Sequence, residues 1–383
     1  MLSYLHAFHA GNHADILKHA ALIQLLKKLN QKSAPYSFFD THAGSGLYST
    51  QGEKARKTGE AARGVLALDE YAAKEAAQGV DGGGPNLDLA TDTGSSLKSG
   101  ADQETLQDLN GGGQQKTDAS LKSGGALPAA LLDYLNFVRP YLARDLYPGS
   151  PLIERAFLRP GDAHTICELH PTEFEALKEN CARDFGLPAD TASRPKSAAA
   201  SSGLANLPHT QILKADGFKT LLAQTPPKIK RGAALIDPSY EEAADYDAVA
   251  KTVIAVHKKW SAGIIMVWYP LLAHRAAEIE KMIESICAAA KIQNANTNIL
   301  RADFCVDTAQ SHTEMPLKEN AAAKAAALSS KTGLSNAAPR LYGSGILVLN
   351  APWKLDQELD EALKHLSRVP GIASVPSYSV TLG

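Results

Sequence analysis

The chain alternates short apolar runs with segments whose apolar residues recur every three or four positions. The helical spacing at 15–29 predicts a first helix. Seven apolar runs predict buried strands, and they lie at 36–40, 165–168, 211–214, 233–236, 263–268, 298–301 and 344–349. Helical patterns such as 246–260 and 272–290 separate most of them. Because alternating strands and helices form parallel sheets through crossover connections, we predict an α/β fold with a seven-stranded doubly wound sheet, whose last strand can be an antiparallel edge.

Three segments interrupt this rhythm, at 79–126, 189–206 and 318–338. They are rich in Gly, Ser, Ala, Asp or Thr, and the pentapeptide Ser-Leu-Lys-Ser-Gly occurs twice in the first of them. Segments of this composition cannot recover the entropy lost on ordering by burying apolar surface. We therefore predict that they are mobile loops.

The wide gap between the first and second predicted strands also contains helical patterns, at 59–77 and 126–143. These patterns predict a small helical subdomain at 49–147, which contains the first loop. The main domain is then formed by the flanking parts of the chain, 1–48 and 148–383.

Composition and charge limit the classes of protein to which the chain can belong. The 383 residues are 44% hydrophobic, which suits one large α/β domain with a smaller appended unit. The formal net charge of -2 gives no general attraction for nucleic acid, so any RNA contact has to come from local basic patches. No secretory signal or long uncharged apolar run is present, and we expect a cytoplasmic protein without a membrane partner. The cysteines lack a C-x-x-C pair, which predicts reduced thiols rather than a disulfide framework or a zinc site.

The most specific signal follows the predicted strand at 233–236 and reads Asp237-Pro238-Ser239-Tyr240. The exocyclic nitrogen of adenine is a poor nucleophile because its lone pair is delocalised into the ring. The Asp237 carboxylate and the Pro238 carbonyl can accept its two hydrogens and direct the lone pair toward a methyl donor. Tyr240 offers a face on which the base can stack. The same four residues also suit a β-turn, so alone they leave a purely structural role open.

A glycine loop with the sequence His42-Ala-Gly44-Ser-Gly46 follows the predicted strand at 36–40. Small residues at this place let the backbone approach a ligand closely. Ser49 stands where a dinucleotide-binding loop has its third glycine, which argues against an NAD enzyme.

Two further strand ends are acidic. Glu168 ends the second predicted strand, where a carboxylate can bind the ribose hydroxyls of a nucleoside. Asp216 and Gly217 follow the third, where a carboxylate and neighbouring backbone can recognise an adenine ring. Four consecutive strand ends thus carry a glycine loop, Glu, Asp and the Asp-Pro sequence, an order that predicts a nucleoside cofactor beside an amine-binding site.

Histidines are concentrated near the N-terminus. His9 and His13 have the spacing of helical metal ligands, but no supporting Cys or carboxylate spacing accompanies them and Gly11 interrupts the helix, so we predict no metal. Lys18 and His19 follow in the first helix, where they can contact the carboxylate of an amino-acid cofactor.

As a set, these residues resemble the bacterial ribosomal RNA large subunit methyltransferase J family, and the resemblance spans nearly the whole chain outside the three interrupting segments. The matching motifs are Tyr4, His6, Asn12-His13-Ala-Asp15, Lys18-His19, Asp40-Thr-His42-Ala-Gly44, Tyr147-Pro-Gly-Ser150-Pro-Leu, Glu168-Leu-His-Pro171, Ala215-Asp-Gly-Phe218, Leu235-Ile-Asp-Pro238, Trp268-Tyr-Pro270 and Pro352-Trp-Lys-Leu355. The resemblance implies a Rossmann-like class I methyltransferase that depends on S-adenosylmethionine and has a small helical insertion.

The resemblance also implies an activity, which is N6-methylation of adenine 2030 of 23S rRNA in naked or immature RNA. Asp237 becomes the catalytic residue, with Pro238 and Tyr240 beside it, and Tyr4 and His6 act on the RNA side. The cofactor contacts, from the resemblance and from the strand ends together, are His19, His42, Ser150, Glu168, Asp216, Gly217, Lys18 and Gly44. We expect a monomer without a metal ion.

One position departs from the family pattern, which is usually Asp-Pro-Pro-Tyr, because Ser239 replaces the second proline. Serine does not fix its own φ or hold the preceding residue extended, so the turn is less preorganised. We expect activity to persist at a reduced rate. Two alternatives remain open: an amino-methyltransferase that acts on DNA adenine or on a protein amide, and an RNA-binding relative that no longer turns over.

Overall fold

The computed structural model describes residues 5–80, 127–185, 208–308 and 341–383. The loops predicted at the three interrupting segments lie outside these ranges, apart from residues 79 and 80, so their mobility stays a prediction. Tyr4 also lies outside the described residues.

The described residues form a layered arrangement of strands and helices. The strands are β1 (Ser37–Asp40), β2 (Leu47–Ser49), β3 (Leu146–Pro148), β4 (Ala163–Cys167), β5 (His209–Leu213), β6 (Gly232–Ile236), β7 (Ile264–Leu271), β8 (Ile299–Cys305), β9 (Gly343–Leu349) and β10 (Ser377–Leu382). The α-helices are α1 (His13–Asn30), α2 (Glu53–Thr58), α3 (Val65–Val80), α4 (Ala129–Leu142), α5 (Ser150–Phe157), α6 (Pro171–Phe185), α7 (Gly217–Gln224), α8 (Ala243–Lys259), α9 (Ala276–Gln293) and α10 (Leu355–Leu366). Among these described helices, none is both long enough and apolar enough to cross a bilayer.

Within the described ranges, the main sheet has eight strands in the order β5-β4-β1-β6-β7-β9-β8-β10. The strands from β5 to β7 are mutually parallel, and β9 runs antiparallel to both of its neighbours. The predicted α/β class is therefore confirmed, but the predicted count of seven strands is wrong by one, because β10 adds an antiparallel edge beside β8. The predicted position of the last apolar strand is also wrong, because β9 lies inside the sheet rather than at its edge.

The sequence of β9 suits this interior position. All its residues are buried, as expected of a strand covered on both faces. Gly345 pairs with Tyr269 on β7 and with Asp303 on β8, and the Tyr269 hydroxyl donates to Asp303 Oδ1 at 2.6 Å. A Cβ on Gly345 would lie 2.2 Å from Asp303 Oδ1 and 2.3 Å from the Tyr269 ring. Glycine is therefore required where these two side chains join across the strand.

Helix α1 brings charged residues into the interior. It packs against α4, α5, α10 and β9 and is buried on almost every side. Asn12 caps its N-terminus by accepting a hydrogen bond from the backbone N–H of Asp15 at 3.0 Å. Asp15, Lys18 and His19 are buried in its first two turns. Because burying a charge is costly unless it is paired, these residues have to find partners inside the protein.

The chain divides into two compact units, residues 1–71 with 127–383, and residues 72–126. The first unit contains the whole sheet and α1. Of the second unit only the C-terminal part of α3 is described. The subdomain boundaries at 49–147 remain a prediction.

Candidate active site

The carboxylate of Asp237 lies just beyond the C-terminal end of β6, and its Oδ2 accepts a hydrogen bond from Lys18 Nζ at 2.7 Å. The side chain of Asp237 is 14% exposed, whereas that of Lys18 is 6% exposed, so the carboxylate is the more accessible partner. Burial raises the pKa of Asp237, and the positive charge and hydrogen bond of Lys18 act against that rise. The result is a partly exposed carboxylate, paired with Lys18, at a strand end, where open α/β sheets bind their ligands.

Lys18 also contacts a second carboxylate. Its Nζ lies 3.1 Å from Asp15 Oδ1, and Asp15 Oδ2 lies 2.9 Å from Nε2 of His6. Burial acts to raise the pKa of Asp15, but His6 and Lys18 together hold it well below its usual value. The predicted site residues His6 and Lys18 are thus joined through the buried carboxylate of Asp15, which belongs to a matching motif but has no role predicted from the sequence. Lys18 contacts Asp237 directly.

The glycine loop contacts the end of β4 directly. The backbone N–H of Gly44 donates to Glu168 Oε2 at 2.8 Å, and the backbone N–H of His170 donates to Oε1 at 2.6 Å. Gly44 has φ +59, and a Cβ there would lie 2.2 Å from the Tyr48 hydroxyl oxygen. Burial raises the pKa of Glu168, against which these two backbone hydrogen bonds act. The predicted residues Gly44 and Glu168 therefore belong to one cluster.

The end of β5 packs against the same loop. Asp216 caps α7 by accepting the backbone N–H of Lys219 at 3.1 Å. A Cβ on Gly217 would lie 2.0 Å from the backbone oxygen of Thr41, so the start of α7 touches the chain just after β1. The His42 ring meets the Phe218 ring edge-on, with 4.8 Å between centroids.

A buried carboxyl group at the end of β1 holds Ser150. The Ser150 hydroxyl donates to Asp40 Oδ2 at 2.7 Å, and the backbone N–H of His42 donates to Oδ1 at 3.1 Å. Burial and the nearby Glu154 raise the pKa of Asp40. In this structure the predicted cofactor residue Ser150 thus orients the β1 terminus, and Asp40 joins the cluster beside it.

Glu154 extends this network into the core. Its Oε2 lies 2.7 Å from His164 Nε2, and both side chains are fully buried. Burial raises the pKa of Glu154 to about 8 and lowers that of His164 to about 3. The contact is therefore a hydrogen bond between neutral groups at neutral pH, rather than an ion pair.

Glu154 makes stability depend on pH. Its pKa is raised in the folded state, so its stabilising contribution is complete below the unfolded value of 4.5 and is lost as the pH rises through about 8. Glu154→Gln removes the titration at similar side-chain size. Between pH 4.5 and about 8, we expect the free energy of unfolding of wild type to fall by on the order of a few kcal/mol relative to that of this variant. Urea unfolding at several pH values measures the difference, and identical pH dependence in both proteins would contradict it.

His19 is completely buried beside two tyrosines. Its Nδ1 lies 2.8 Å from the Tyr147 hydroxyl, which lies 3.0 Å from that of Tyr134. Nε2 of His19 is buried and has no hydrogen-bond partner within the described residues. Burial lowers the pKa of His19 to about 3, so the ring is neutral.

Tyr240 occupies a different environment from the free stacking face that its motif predicts. Tyr240 is only 3% exposed, and its ring packs against Tyr246 and Trp268. Its hydroxyl donates a hydrogen bond to the Trp268 backbone oxygen at 2.8 Å. Its φ of +51 is unusual for a residue other than glycine. Tyr240 therefore fixes the turn that follows Asp237, while Pro238 lies buried between them.

The two histidines with metal-ligand spacing have separate surroundings. His9 Nδ1 lies 2.9 Å from Glu60 Oε1, whereas His13 begins α1 and burial lowers its pKa to about 4. Across the described ranges, no group of three or more His, Cys, Asp or Glu side chains is placed to hold a metal ion.

The order of the sheet and the chemistry of its strand ends together define the class of protein. A parallel half from β5 to β7 is followed by the reversed strand β9, and successive strand ends carry Asp40, Glu168, Asp216 and Asp237. This is the Rossmann-like class I methyltransferase fold. The family model described as "Ribosomal RNA large subunit methyltransferase D, RlmJ" matches residues 33–78, 99–202 and 200–319, and the chain belongs to that family.

Individual relatives are similar to this chain over almost its full length. The chain is 28% identical to "Ribosomal RNA large subunit methyltransferase J" of Escherichia coli (strain K12), over 96% of this chain and 93% of the relative. It is also 28% identical to the protein of the same name from Haemophilus influenzae, over 96% of this chain and 94% of the relative. A crystal structure of a Legionella pneumophila protein superposes with a TM-score of 0.61 at 21% identity, covering 98% of both chains, and supports the fold.

Proposed function

We propose that this chain transfers a methyl group from S-adenosylmethionine to N6 of an adenine in 23S rRNA, with adenine 2030 of naked or immature RNA as the target. The relatives named above are methyltransferases of large-subunit ribosomal RNA, which supports the substrate class. The observation that carries the proposal is the accessible Asp237 carboxylate, held by Lys18 at the strand end beside the glycine loop.

The described residues fit S-adenosylmethionine in three respects. The Glu168 carboxylate accepts two backbone N–H groups and retains lone pairs for ribose hydroxyls. The Asp216 side chain is 31% exposed at the start of α7, so its carboxylate is accessible for recognition of an adenine ring. The unpartnered Nε2 of His19, with Lys18 in the same turn of α1, suits the amino-acid end of the cofactor.

The chemistry of the target amine assigns roles to the residues around Asp237. When bound, S-adenosylmethionine supplies an electrophilic methyl group. One Asp237 oxygen and the Pro238 carbonyl each accept a hydrogen of the adenine amine, which turns the nitrogen lone pair out of conjugation. Lys18 favours the anionic form of Asp237, in which the carboxylate can also accept the proton that the amine loses. Tyr240 is a positioning residue that holds this turn through its hydroxyl and its packing.

The replacement of proline by Ser239 leaves these contacts in place. Lys18 still fixes Asp237 from one side, and the Tyr240 hydroxyl anchors the other end of the turn to the strand at Trp268. We therefore propose an active enzyme rather than a binding relative without turnover.

The remaining expectations follow from this activity. We propose that residues 49–147 form the helical subdomain of a monomeric enzyme that acts in the cytoplasm, where ribosomal RNA is assembled.

Glu168 tests the cofactor site. We expect Glu168→Gln to raise the Kd for S-adenosylmethionine on the order of tenfold, because one anionic acceptor for ribose and for Gly44 is lost. The rate at saturating cofactor should change far less. Calorimetry and steady-state kinetics measure the two effects. Glu175→Gln, on the exposed face of α6 beside Lys178, is the matched control, and an unchanged Kd in Glu168→Gln would remove this residue from the site.

Labelled methyl transfer tests the function as a whole. The protein is incubated with methyl-tritiated S-adenosylmethionine and, separately, with transcribed 23S rRNA, 16S rRNA, duplex DNA and cell protein. We expect label in 23S rRNA alone, and N6-methyladenosine as the labelled nucleoside after digestion. Label in DNA or protein, or in no acceptor at all, would overturn the proposal.

A further inference from the structure

Four basic residues lie near one another in the chain, on α2 and the short turn after it. Lys54, Arg56, Lys57 and Arg63 are all exposed. Arg63 donates to the backbone oxygen of Thr58 at 2.9 Å, which brings its guanidinium to the C-terminal end of α2. We call these four residues the basic cluster. Basic residues at a helix C-terminus also suit its dipole, so their position relative to the active site has to decide their role.

Glu60 does not neutralise the cluster, because its carboxylate is engaged elsewhere. Its Oε1 lies 2.9 Å from His9 Nδ1, and its Oε2 accepts from Asn12 Nδ2 at 2.9 Å. Burial acts to lower the pKa of His9, but the contact with Glu60 raises it. Burial acts to raise the pKa of Glu60, but the contact with His9 lowers it. These contacts tie the turn after α2 to the segment that leads into α1.

Backbone contacts make this connection rigid. The N–H of Val65 donates to the Gly11 oxygen at 2.8 Å, and the Thr58 hydroxyl donates to the Phe8 oxygen at 2.5 Å. A Cβ on Gly64 would lie 2.1 Å from the Gly11 oxygen, so the two backbones touch. The basic cluster is therefore fixed relative to the start of α1.

The same segment leads directly to the candidate active site. Lys54 and Lys57 place their Nζ atoms 5.8 and 6.0 Å from the centre of the Phe8 ring. Two residues before Phe8, His6 contacts Asp15, which is joined through Lys18 to Asp237. The cluster is thus linked to the catalytic carboxylate through a short series of direct contacts.

The charge around Asp237 is unfavourable for a polyanionic substrate. The strand ends and loops around Asp237 are acidic, with Glu168, Asp216, Glu241 and Glu242 among their residues. The chain as a whole has a net charge of -2. Phosphates that flank a nucleotide bound at Asp237 would be repelled by this rim unless positive charge lies nearby.

We propose that Lys54, Arg56, Lys57 and Arg63 bind the phosphate backbone of the RNA next to the target adenosine. The proposal rests on the methyltransferase function proposed above and assigns the surface that holds its substrate. Lysine and arginine contacts to phosphate supply affinity that depends on salt and carry no sequence information.

The test compares two variants with the same change of charge. The first carries Lys54→Gln, Arg56→Gln and Lys57→Gln, and leaves Arg63 to cap α2. The control carries Lys228→Gln, Lys230→Gln and Lys258→Gln, three exposed lysines near the opposite edge of the sheet, where β6 and β7 begin. The probe is transcribed 23S rRNA, measured by filter binding across a range of KCl concentrations, together with the Kd for S-adenosylmethionine.

We expect the first variant to bind the RNA at least about tenfold more weakly and to reduce the slope of log Kd against log[KCl] by about two. Its loss of activity should appear in the KM for RNA, and its affinity for S-adenosylmethionine should match wild type. The control should behave as wild type. Wild-type RNA affinity and slope in the first variant, or the loss in the control instead, would overturn the assignment.

The two proposals fail in different ways. If wild type transfers no methyl group to rRNA, the proposed function is wrong, whatever the binding data show. If wild type methylates rRNA but the first variant binds it normally, only the phosphate-binding surface is wrong.

Discussion

Asp237→Asn lowers the rate of methyl transfer to 23S rRNA on the order of 10²–10⁴-fold, as expected when a group that accepts a proton in the transition state is removed. The amide has nearly the same size, but it carries no charge and is a poor proton acceptor. The affinity for S-adenosylmethionine should remain within about threefold of wild type, because the proposed partner of Asp237 is the target amine rather than the cofactor. Single-turnover transfer and calorimetry measure the two quantities.

Asp247→Asn provides the matched control. Asp247 lies on α8, where its exposed carboxylate pairs with Lys281 at 3.1 Å and has no proposed ligand contact. This variant should transfer methyl groups at the wild-type rate. A rate for Asp237→Asn close to that of the control would refute the catalytic assignment.

Lys18→Met has the second-largest expected effect, and that effect depends on pH. Lys18 is the cation that opposes the burial-driven rise in the pKa of Asp237, so its removal raises that pKa further. Asp237 has to be deprotonated to accept the amine hydrogen, and activity is lost as the pH falls through its pKa. We therefore expect the acidic limb of the kcat/KM profile to move to higher pH. At neutral pH the loss is on the order of 10–100-fold, since a hydrogen bond to a charged group contributes about 1.5–3 kcal/mol.

A control on the same helix separates this effect from a general loss of stability. Lys28 also lies on α1 and pairs with Glu358 at 2.8 Å, at the other end of the helix. Lys28→Met should keep the wild-type pH profile, even if its melting temperature falls. A Lys18→Met enzyme whose activity drops equally at every pH would show that Lys18 does not act through Asp237.

The parallel half of the sheet could be predicted because its strands are continuous apolar runs. The run at 233–236 became β6 (Gly232–Ile236), and the helical spacing at 15–29 became α1 (His13–Asn30). By contrast, β10 has mostly exposed or half-buried residues, so no apolar run marks it. Its pairing with β8 comes from the tertiary fold, which local pattern does not encode.

The candidate site could be predicted only in part. The strand-end positions of Glu168, Asp216 and Asp237 follow from the sequence, because each lies at the end of an apolar run or within two residues after it. The contact between Lys18 and Asp237 joins residues 219 positions apart, and no local pattern indicates it. For the same reason, Asp15 was placed in a motif without a role and Glu154 was missed. A carboxylate inside an apolar helical segment was the available signal for both, because an acid there has to be paired or protonated.

The reversed strand β9 has a consequence for the order in which this enzyme can be completed. β7 and β8 do not pair with each other, and β9 is the strand that joins them. Since β9 comes later in the chain than both, β8 has no neighbour in the sheet while the polypeptide is still being synthesised up to that point. A nascent chain that stops before Gly343 would leave β7 with a bare hydrogen-bonding edge, which is a template for aggregation. The sheet of the methyltransferase can therefore be completed only after β9 has left the ribosome.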